Sequence, residues 1–123
     1  MRALVIDDSR AVRNILGGML RELGFEVWEA AHGKEALELL GQIGDADVAM
    51  VDWNMPEMDG VEFVRAVRAE RAYDAICLIM VTTESEKSKV VGALSEGADG
   101  YVVKPFTKES IVQKLSVLGV DAF

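Results

Sequence analysis

Short apolar runs alternate with helix-type apolar repeats along the whole chain. The runs have the length and composition of buried or half-buried strands, and they cover residues 2–7, 26–30, 47–52, 76–81 and 101–104. After each run, apolar residues recur every three or four positions, as they do on the inner face of an amphipathic helix. These repeats predict helices that begin at or just after Ser9, Gly33, Val61, Glu84 or Ser85, and Thr107, and that end near Gly24, Ile43, Glu70, Ser95 and Leu118.

The strict alternation of strands and helices indicates an α/β fold built from right-handed βαβ units. We predict a doubly wound (βα)5 fold with a five-stranded parallel sheet, strand order 2-1-3-4-5 and helices on both faces, in a single domain over residues 1–123. The run at 76–81 is the most apolar and predicts a central strand, whereas the alternation at 26–30 predicts an edge or half-exposed strand. The predicted inner positions of the first helix include Ile15, and those of the fourth helix are Val90, Val91 and Leu94.

Polar side chains follow four of the predicted strands, at the point where each strand ends. Asp7 and Asp8 come at the end of the first, Asp52 ends the third, Thr82 follows the fourth and Lys104 ends the fifth. Because the carboxyl ends of parallel strands meet at one edge of a sheet, we expect these groups to share a shallow cleft. The switch point of this strand order lies between the first and third strands, so topology and chemistry indicate the same place.

The carboxylates of the predicted cleft repel one another, and a cation would offset that repulsion. Carboxylates spaced about 5 Å apart repel by roughly 3 kcal/mol per pair at an effective dielectric constant near 20. Lys104 supplies one positive charge, and oxygen ligands without a nearby His or Cys favour Mg²⁺ or Mn²⁺ for the rest. We expect Asp8 and Asp52 as direct ligands, Asp7 mainly through water, and a backbone carbonyl near Asn54 to complete the shell.

A site of this kind can accept a phosphoryl group. A carboxylate attacks phosphorus to give an acyl phosphate, while a lysine and a hydroxyl bind the remaining oxygens. Asp52 is the candidate nucleophile, because it stands alone at a strand end before a loop. Taken singly, each of these residues is also explained by a helix cap, a turn or a strand end. Only the complementary set at four strand ends favours the functional interpretation.

Composition narrows the class of protein further. The chain has 13 basic and 21 acidic residues and a net charge of −8, which argues against direct binding to nucleic acid or to anionic lipid. The longest apolar run, 75–81, is too short to span a bilayer. A single cysteine, Cys77, excludes a disulfide within the chain and favours the reducing cytoplasm, with the thiol buried. The only histidine, His32, is predicted to lie on the solvated surface.

The chain resembles the receiver domain of two-component response regulators. The motifs that carry the resemblance are Asp7-Asp8, Asp52 with the following Met55-Pro56-Glu57-Met58-Asp59-Gly60, Thr82, Glu96-Gly97-Ala98-Asp99-Gly100 and Lys104-Pro105-Phe106. Within that family, Trp53-Asn54-Met55-Pro56, Glu84 and Tyr101 are similar to CheY-type chemotaxis regulators. A departure is Thr83, where those regulators usually carry a smaller Ala or Gly; the bulkier neighbour would either hinder the inward movement of Thr82 or favour a different partner.

The resemblance implies a mechanism and partners. It implies a CheA-like histidine kinase as phosphodonor, Mg²⁺ as cofactor, a cis Lys104-Pro105 bond, and Thr82 with Tyr101 as a switch pair. Asn54 and Glu84 would flank the path of the water that hydrolyses the acyl phosphate. The surface of the fourth helix, fifth strand and fifth helix would bind an acidic peptide of a downstream protein such as a flagellar motor switch component. The residues expected on that surface are Ser85, Lys87, Val90, Tyr101, Val103 and Lys114.

Other functions stay open from the sequence. A haloacid-dehalogenase-type phosphatase also uses an aspartyl nucleophile at a strand end, but it needs a second carboxylate two residues later, where this chain has Asn54. A phosphorelay intermediate, a regulator of another process, or a receiver excised from a longer protein would keep the same site. We expect a cytoplasmic, stand-alone, monomeric phosphoacceptor that catalyses only its own phosphorylation and dephosphorylation, with a phosphatase as a further partner.

Overall fold

The computed structural model describes residues 1–120, and strands and helices alternate throughout them. The strands are β1 (Arg2–Ile6), β2 (Glu26–Ala30), β3 (Val48–Asp52), β4 (Cys77–Thr82) and β5 (Gly100–Val103). The helices are α1 (Arg10–Glu22), α2 (Gly33–Ile43), α3 (Gly60–Arg68), α4 (Val90–Glu96) and α5 (Lys108–Val117). Short 3-10 helices at Arg71–Tyr73 and Glu84–Lys89 precede β4 and α4. Residues 121–123 of the predicted domain lie outside the described part of the chain.

The strands form one parallel sheet in the order β2-β1-β3-β4-β5, which confirms the predicted topology. The second strand is at one edge, as its alternating pattern predicts. The strand predicted as central, β4, is internal and fully buried along Leu78–Thr82, with β3 in the middle of the sheet. In the register Ile6 pairs with Val51, Asp52 with Val81 and Thr82 with Val103. The strands therefore end level with one another, and the residues that follow them emerge together.

Two hydrophobic cores cover the two faces of the sheet, because successive strand side chains point to opposite sides. On one face Leu4, Ile6 and Met80 pack with Phe63 of α3, all at most 1% exposed. On the other face Val5, Met50 and Ile79 pack with Leu16 and Leu20 of α1 and with Ile111 and Leu115 of α5. Because both cores extend to the last residues of the strands, they hold in place the edge of the sheet that carries the polar residues.

The segment before β5 departs from the sequence prediction. A single fourth helix starting at Glu84 or Ser85 is wrong, because Glu84–Lys89 is a 3-10 helix and the α-helix begins at Val90. The predicted apolar stripe is also wrong in part, since Val91 is 70% exposed and Leu94 39%, while Ala93 is buried beside Val90. The short helix turns Val90 and Ala93, three residues apart, towards the core. Its two other large apolar side chains are left in solvent.

Smaller corrections concern single residues. Ile15 of α1 is 56% exposed rather than on the inner face. His32 is half-buried and caps α2, where its Nδ1 accepts a hydrogen bond of 3.2 Å from the backbone N–H of Glu35. Cys77 is only half-buried, and burial together with the charge of Asp99 raises the pKa of its thiol to about 11. Within residues 1–120, the helices are all too short or too polar to cross a membrane.

Candidate functional site

Three carboxylates meet at the carboxyl edge of the sheet, between the ends of β1 and β3. Oxygens of Asp7, Asp8 and Asp52 all lie within 4.8 Å of one another. Asp7 is 3% exposed and Asp52 7%, whereas Asp8 faces solvent. We call these three residues the acidic trio. The convergence follows from the strand register, because the residues that end β1 and β3 are held side by side by the pairing of Ile6 with Val51.

Lys104 directly follows the edge strand β5 and brings a positive charge to the acidic trio. Its ammonium Nζ lies 3.4 Å from Oδ2 of Asp7 and 3.3 Å from Oδ1 of Asp52. The peptide bond between Lys104 and Pro105 is cis, as the family resemblance implies. Burial works against ionisation of Lys104, but the charges of Asp52 and Asp7 outweigh it and raise the pKa of the ammonium. Lys104 therefore stays protonated across the physiological range.

Asp52 is the perturbed member of the acidic trio. Burial raises the pKa of its carboxyl to about 6, and the charge of Asp7 pushes in the same direction against the attraction of Lys104. One lysine is therefore insufficient to offset the burial of Asp52 and the repulsion from Asp7. A buried carboxylate with incomplete compensation favours any species that brings positive charge to its oxygens. The oxygen donor set fits a hard divalent cation, which accepts several carboxylate and carbonyl ligands.

Asp7 is held by contacts that the sequence pattern did not predict. Its Oδ1 accepts a hydrogen bond of 2.8 Å from the backbone N–H of Ser9, which begins α1 as its N-cap. The guanidinium of Arg13 donates to the backbone carbonyl of Asp7 at 2.7 Å and forms an ion pair with Glu29 at 3.4 Å. The spacing of Arg13, one turn into the helix that follows an acidic strand end, is the only sequence signal for this role.

Thr82 is fully buried at the end of β4, next to β3 and Asp52 in the sheet. Its hydroxyl donates to the backbone carbonyl of Thr83 at 3.3 Å rather than to the acidic trio. Thr82 is thus at the expected strand end, with its hydroxyl engaged by its own loop. Turning that hydroxyl towards Asp52 requires it to leave the Thr83 carbonyl.

The two residues predicted to flank an attacking water lie on the loops that border the site. Asn54 is exposed in the loop after β3, and Glu84 is exposed at the first position of the 3-10 helix after β4. The side-chain amide of Asn54 donates to Oε2 of Glu86, a residue that sequence reasoning did not single out. Thr83 donates through its hydroxyl to Oε1 of the same carboxylate at 2.9 Å.

The predicted partner surface is only partly assembled as expected. Tyr101 is half-buried, with its ring centre 5.1 Å from Nζ of Lys114 and 6.0 Å from Nζ of Lys87. These three residues and Val103 line a cavity of about 430 Å³ between β5 and α5. Val90 is 2% exposed, so its predicted place on this surface is wrong; it fills the core beneath α4. Ser85 is exposed, with its hydroxyl 3.0 Å from that of Thr83.

Comparison with known proteins agrees with this geometry. The sequence model of one protein family, the response regulator receiver domain, matches residues 3–116 of this chain. The Chemotaxis protein CheY homolog of Campylobacter jejuni is 49% identical over 99% of this chain and 95% of its own length. Chemotaxis protein CheY1 of Helicobacter pylori (strain J99) is 46% identical over 96% of each chain. The solved structure of Vibrio cholerae chemotaxis protein CheY4 is 38% identical, with a TM-score of 0.87 over 95% of this chain and 97% of that one. The chain belongs to the response regulator receiver domain family.

Proposed function

We propose that this chain is a chemotaxis-type response regulator that takes a phosphoryl group from a histidine kinase onto Asp52. The observation that carries the proposal is the buried Asp52 carboxylate, with Asp7, Asp8 and the Lys104 ammonium gathered around it. The family assigns the chain to signalling phosphoacceptors rather than to enzymes that turn over an external substrate. The high similarity to chemotaxis regulators of two organisms supports the pathway.

Phosphoryl transfer to Asp52 is chemically straightforward in this setting. A carboxylate oxygen of Asp52 forms the new bond to phosphorus, while the bond from phosphorus to the donor nitrogen of the kinase histidine breaks. Lys104 would bind a phosphoryl oxygen, a role supported by the distance of 3.3 Å from its ammonium to Asp52. Thr82 would donate to another oxygen after releasing the Thr83 carbonyl.

A divalent cation belongs to the proposed site. Asp7, Asp8, Asp52 and the backbone carbonyl of Asn54 would hold Mg²⁺, with Mn²⁺ as a substitute, and the oxygen donors fit either ion. When bound, the cation neutralises negative charge on the carboxylates and on the transferring group. Asp7 would take part mainly through water, and its hydrogen bond from the Ser9 N–H, which holds one carboxylate oxygen, supports this.

The local change would reach the protein surface through Thr82 and Tyr101. When the Thr82 hydroxyl turns towards the phosphoryl group it vacates space, and the Tyr101 ring moves inward to fill it. Inverting a 1:99 population takes about 5.5 kcal/mol of differential stabilisation, which a few charge-assisted hydrogen bonds can supply. The surface of Lys87, Tyr101, Val103 and Lys114 would then bind an acidic segment of a flagellar motor component. A Tyr101→Ala variant that is phosphorylated normally and keeps full partner binding would refute this switch.

Further parts of the proposal concern the setting in which the chain works. The kinase would be CheA-like. A phosphatase would shorten the lifetime of the acyl phosphate, which Asn54 and Glu84 would also influence. The protein would act as a cytoplasmic monomer with residues 1–123 as one domain. A phosphorelay intermediate is the alternative, because the same site could pass the phosphoryl group to a second histidine protein. Partner capture with the phosphorylated chain separates the two, since a relay would transfer the label.

Tryptophan fluorescence tests the phosphoacceptor assignment. Trp53 is half-buried and directly follows Asp52, so its emission should respond first to Mg²⁺ and again to a small phosphodonor such as acetyl phosphate. An Asp52→Asn variant should lose the second response. A chain that shows no Mg²⁺ response, or a second response that survives in Asp52→Asn, would contradict the assignment.

A further inference from the structure

A hydrogen-bonded bridge joins the two loops that follow Asp52 and Thr82. The side-chain amide of Asn54 donates to Oε2 of Glu86, while Oε1 accepts from the Thr83 hydroxyl at 2.9 Å and from the Thr83 backbone N–H at 3.4 Å. We call Asn54, Thr83 and Glu86 the Glu86 bridge. It ties the β3–α3 loop to the β4–α4 connection at the edge of the sheet where the acidic trio lies.

The Glu86 bridge uses both oxygens of a carboxylate as acceptors. Each oxygen of Glu86 faces donors from a different loop, and an ionised carboxylate is a pure acceptor at both oxygens. A glutamine at this position offers one uncharged acceptor oxygen to the N–H donors of Asn54 and Thr83, and its NH₂ group can donate to the Thr83 hydroxyl, which accepts as well as donates. Glu86→Gln therefore weakens the hold on the Asn54 amide, because a charge-assisted hydrogen bond becomes a neutral one, while the size of the side chain changes very little.

Two members of the Glu86 bridge, Asn54 and Thr83, lie close in sequence to the residues that would react with or bind the phosphoryl group. Asn54 lies two residues after Asp52, and Thr83 follows Thr82 and accepts the Thr82 hydroxyl at its carbonyl. Glu86 is half-buried, so its bonds to the two loops are partly shielded from water. With its amide held by Glu86, Asn54 cannot use that same N–H to orient a water molecule towards Asp52.

Building on the proposed function, we infer that Glu86 is a positioning residue that lengthens the life of the acyl phosphate by holding the Asn54 amide. In hydrolysis, water attacks phosphorus, the bond between phosphorus and the Asp52 oxygen breaks, and the products are the Asp52 carboxylate, inorganic phosphate and a proton. An Asn54 amide released from Glu86 can hold the attacking water. Replacing one charge-assisted hydrogen bond of partly exposed groups by a neutral one corresponds to a rate change of about three- to tenfold.

A double-mutant cycle tests the inference. The chain is phosphorylated with acetyl phosphate and Mg²⁺, the donor is removed by rapid desalting, and phosphate release is followed for wild type, Glu86→Gln, Asn54→Ala and the double variant. Glu38→Gln is the matched control, because the exposed Glu38 on α2 makes the same change of charge away from the site. We expect Glu86→Gln to release phosphate about three to ten times faster than wild type, and the double variant to match Asn54→Ala.

Two results would overturn the inference. One is a Glu86→Gln rate within the change produced by Glu38→Gln, and the other is a full Glu86→Gln acceleration that persists without Asn54. The NMR signals of the Asn54 side-chain amide give a readout independent of phosphorylation, and they should shift in Glu86→Gln but not in Glu38→Gln. If those signals shift as expected while wild type takes up no phosphate, the proposed function fails and the role in signal lifetime falls with it, although the bridge itself stands.

Discussion

Replacing Asp52 by asparagine should stabilise the fold. The pKa of Asp52 is raised from 3.8 to about 6 in the folded chain, by burial first and by Asp7 second. Since one pKa unit corresponds to 1.36 kcal/mol, holding this carboxylate ionised at neutral pH costs about 3 kcal/mol relative to the unfolded chain. Asparagine has a similar shape and carries no charge. We therefore expect Asp52→Asn to raise the free energy of unfolding by about 2–3 kcal/mol at pH 7.5 in EDTA.

The gain should depend on pH in a defined direction. Because the folded pKa of Asp52 lies above the unfolded value, the folded chain binds more protons between about pH 4 and pH 6. The contribution of Asp52 to stability is therefore greatest below pH 4 and is lost as the pH rises through 6. The advantage of Asp52→Asn should shrink towards zero as the pH falls from 7.5 to 4.

Urea unfolding followed by far-ultraviolet circular dichroism measures the effect without relying on Trp53. Asp45→Asn is the control, because it removes one charge from an exposed position of an acidic protein. The reasoning is refuted if Asp52→Asn is no more stable than Asp45→Asn at pH 7.5, or if its gain is the same at pH 4. Adding Mg²⁺ at about 10 mM should stabilise wild type by mass action and narrow the difference from Asp52→Asn.

Three further predictions concern the frame around the site. Arg68 donates to the backbone carbonyls of four residues and to the carboxylate of Asp99, so Arg68→Lys should lower the free energy of unfolding by about 2–3 kcal/mol, and a loss under 0.5 kcal/mol in urea titration would contradict this. A Cβ at Gly60 would lie 2.9 Å from the Asp52 carbonyl oxygen, so Gly60→Ala should cost about 1–3 kcal/mol and reduce labelling by acetyl phosphate; unchanged labelling would show that the loop adapts. Lys114→Gln removes a cation 5.1 Å from the Tyr101 ring and should shift the ring inward by about twofold to fivefold in population, read from Tyr101 ring NMR signals, with no shift as the contrary outcome.

The placement of the acidic trio and Lys104 could be predicted from sequence because it depends on strand ends. Period-two and buried runs locate strands to within a residue or two, and a parallel sheet brings their carboxyl ends to one edge whatever the loops do. Asp7 and Asp52 needed only the strand order to become neighbours. The same reasoning placed Thr82 correctly, although it could not say that its hydroxyl faces the Thr83 carbonyl.

The connections between loops could not be predicted, because they depend on side chains far apart in sequence. Asn54 and Glu86 are 32 residues apart, and no periodicity brings them together. The segment Glu84–Lys89 forms a 3-10 helix rather than the first part of α4. Its polar residues provide no apolar stripe that could pack against the sheet. Sequence patterns identify elements that bury an apolar face, and this segment has none until Val90.

The hydrophobic core stabilises the fold, whereas the acidic trio that it holds together destabilises it. The acidic trio is an unfavourable cluster, and its members stay close because the strands beneath them end in fully buried residues such as Ile6 and Val51. Fully burying one large aliphatic or aromatic side chain contributes about 1.5–3 kcal/mol, so two or three core residues such as Phe63 offset the cost of ionised Asp52. A looser sheet edge would let the carboxylates separate and relax. The rigidity of the core therefore maintains the electrostatic demand for positive charge at Asp52, which a divalent cation beside Lys104 would meet.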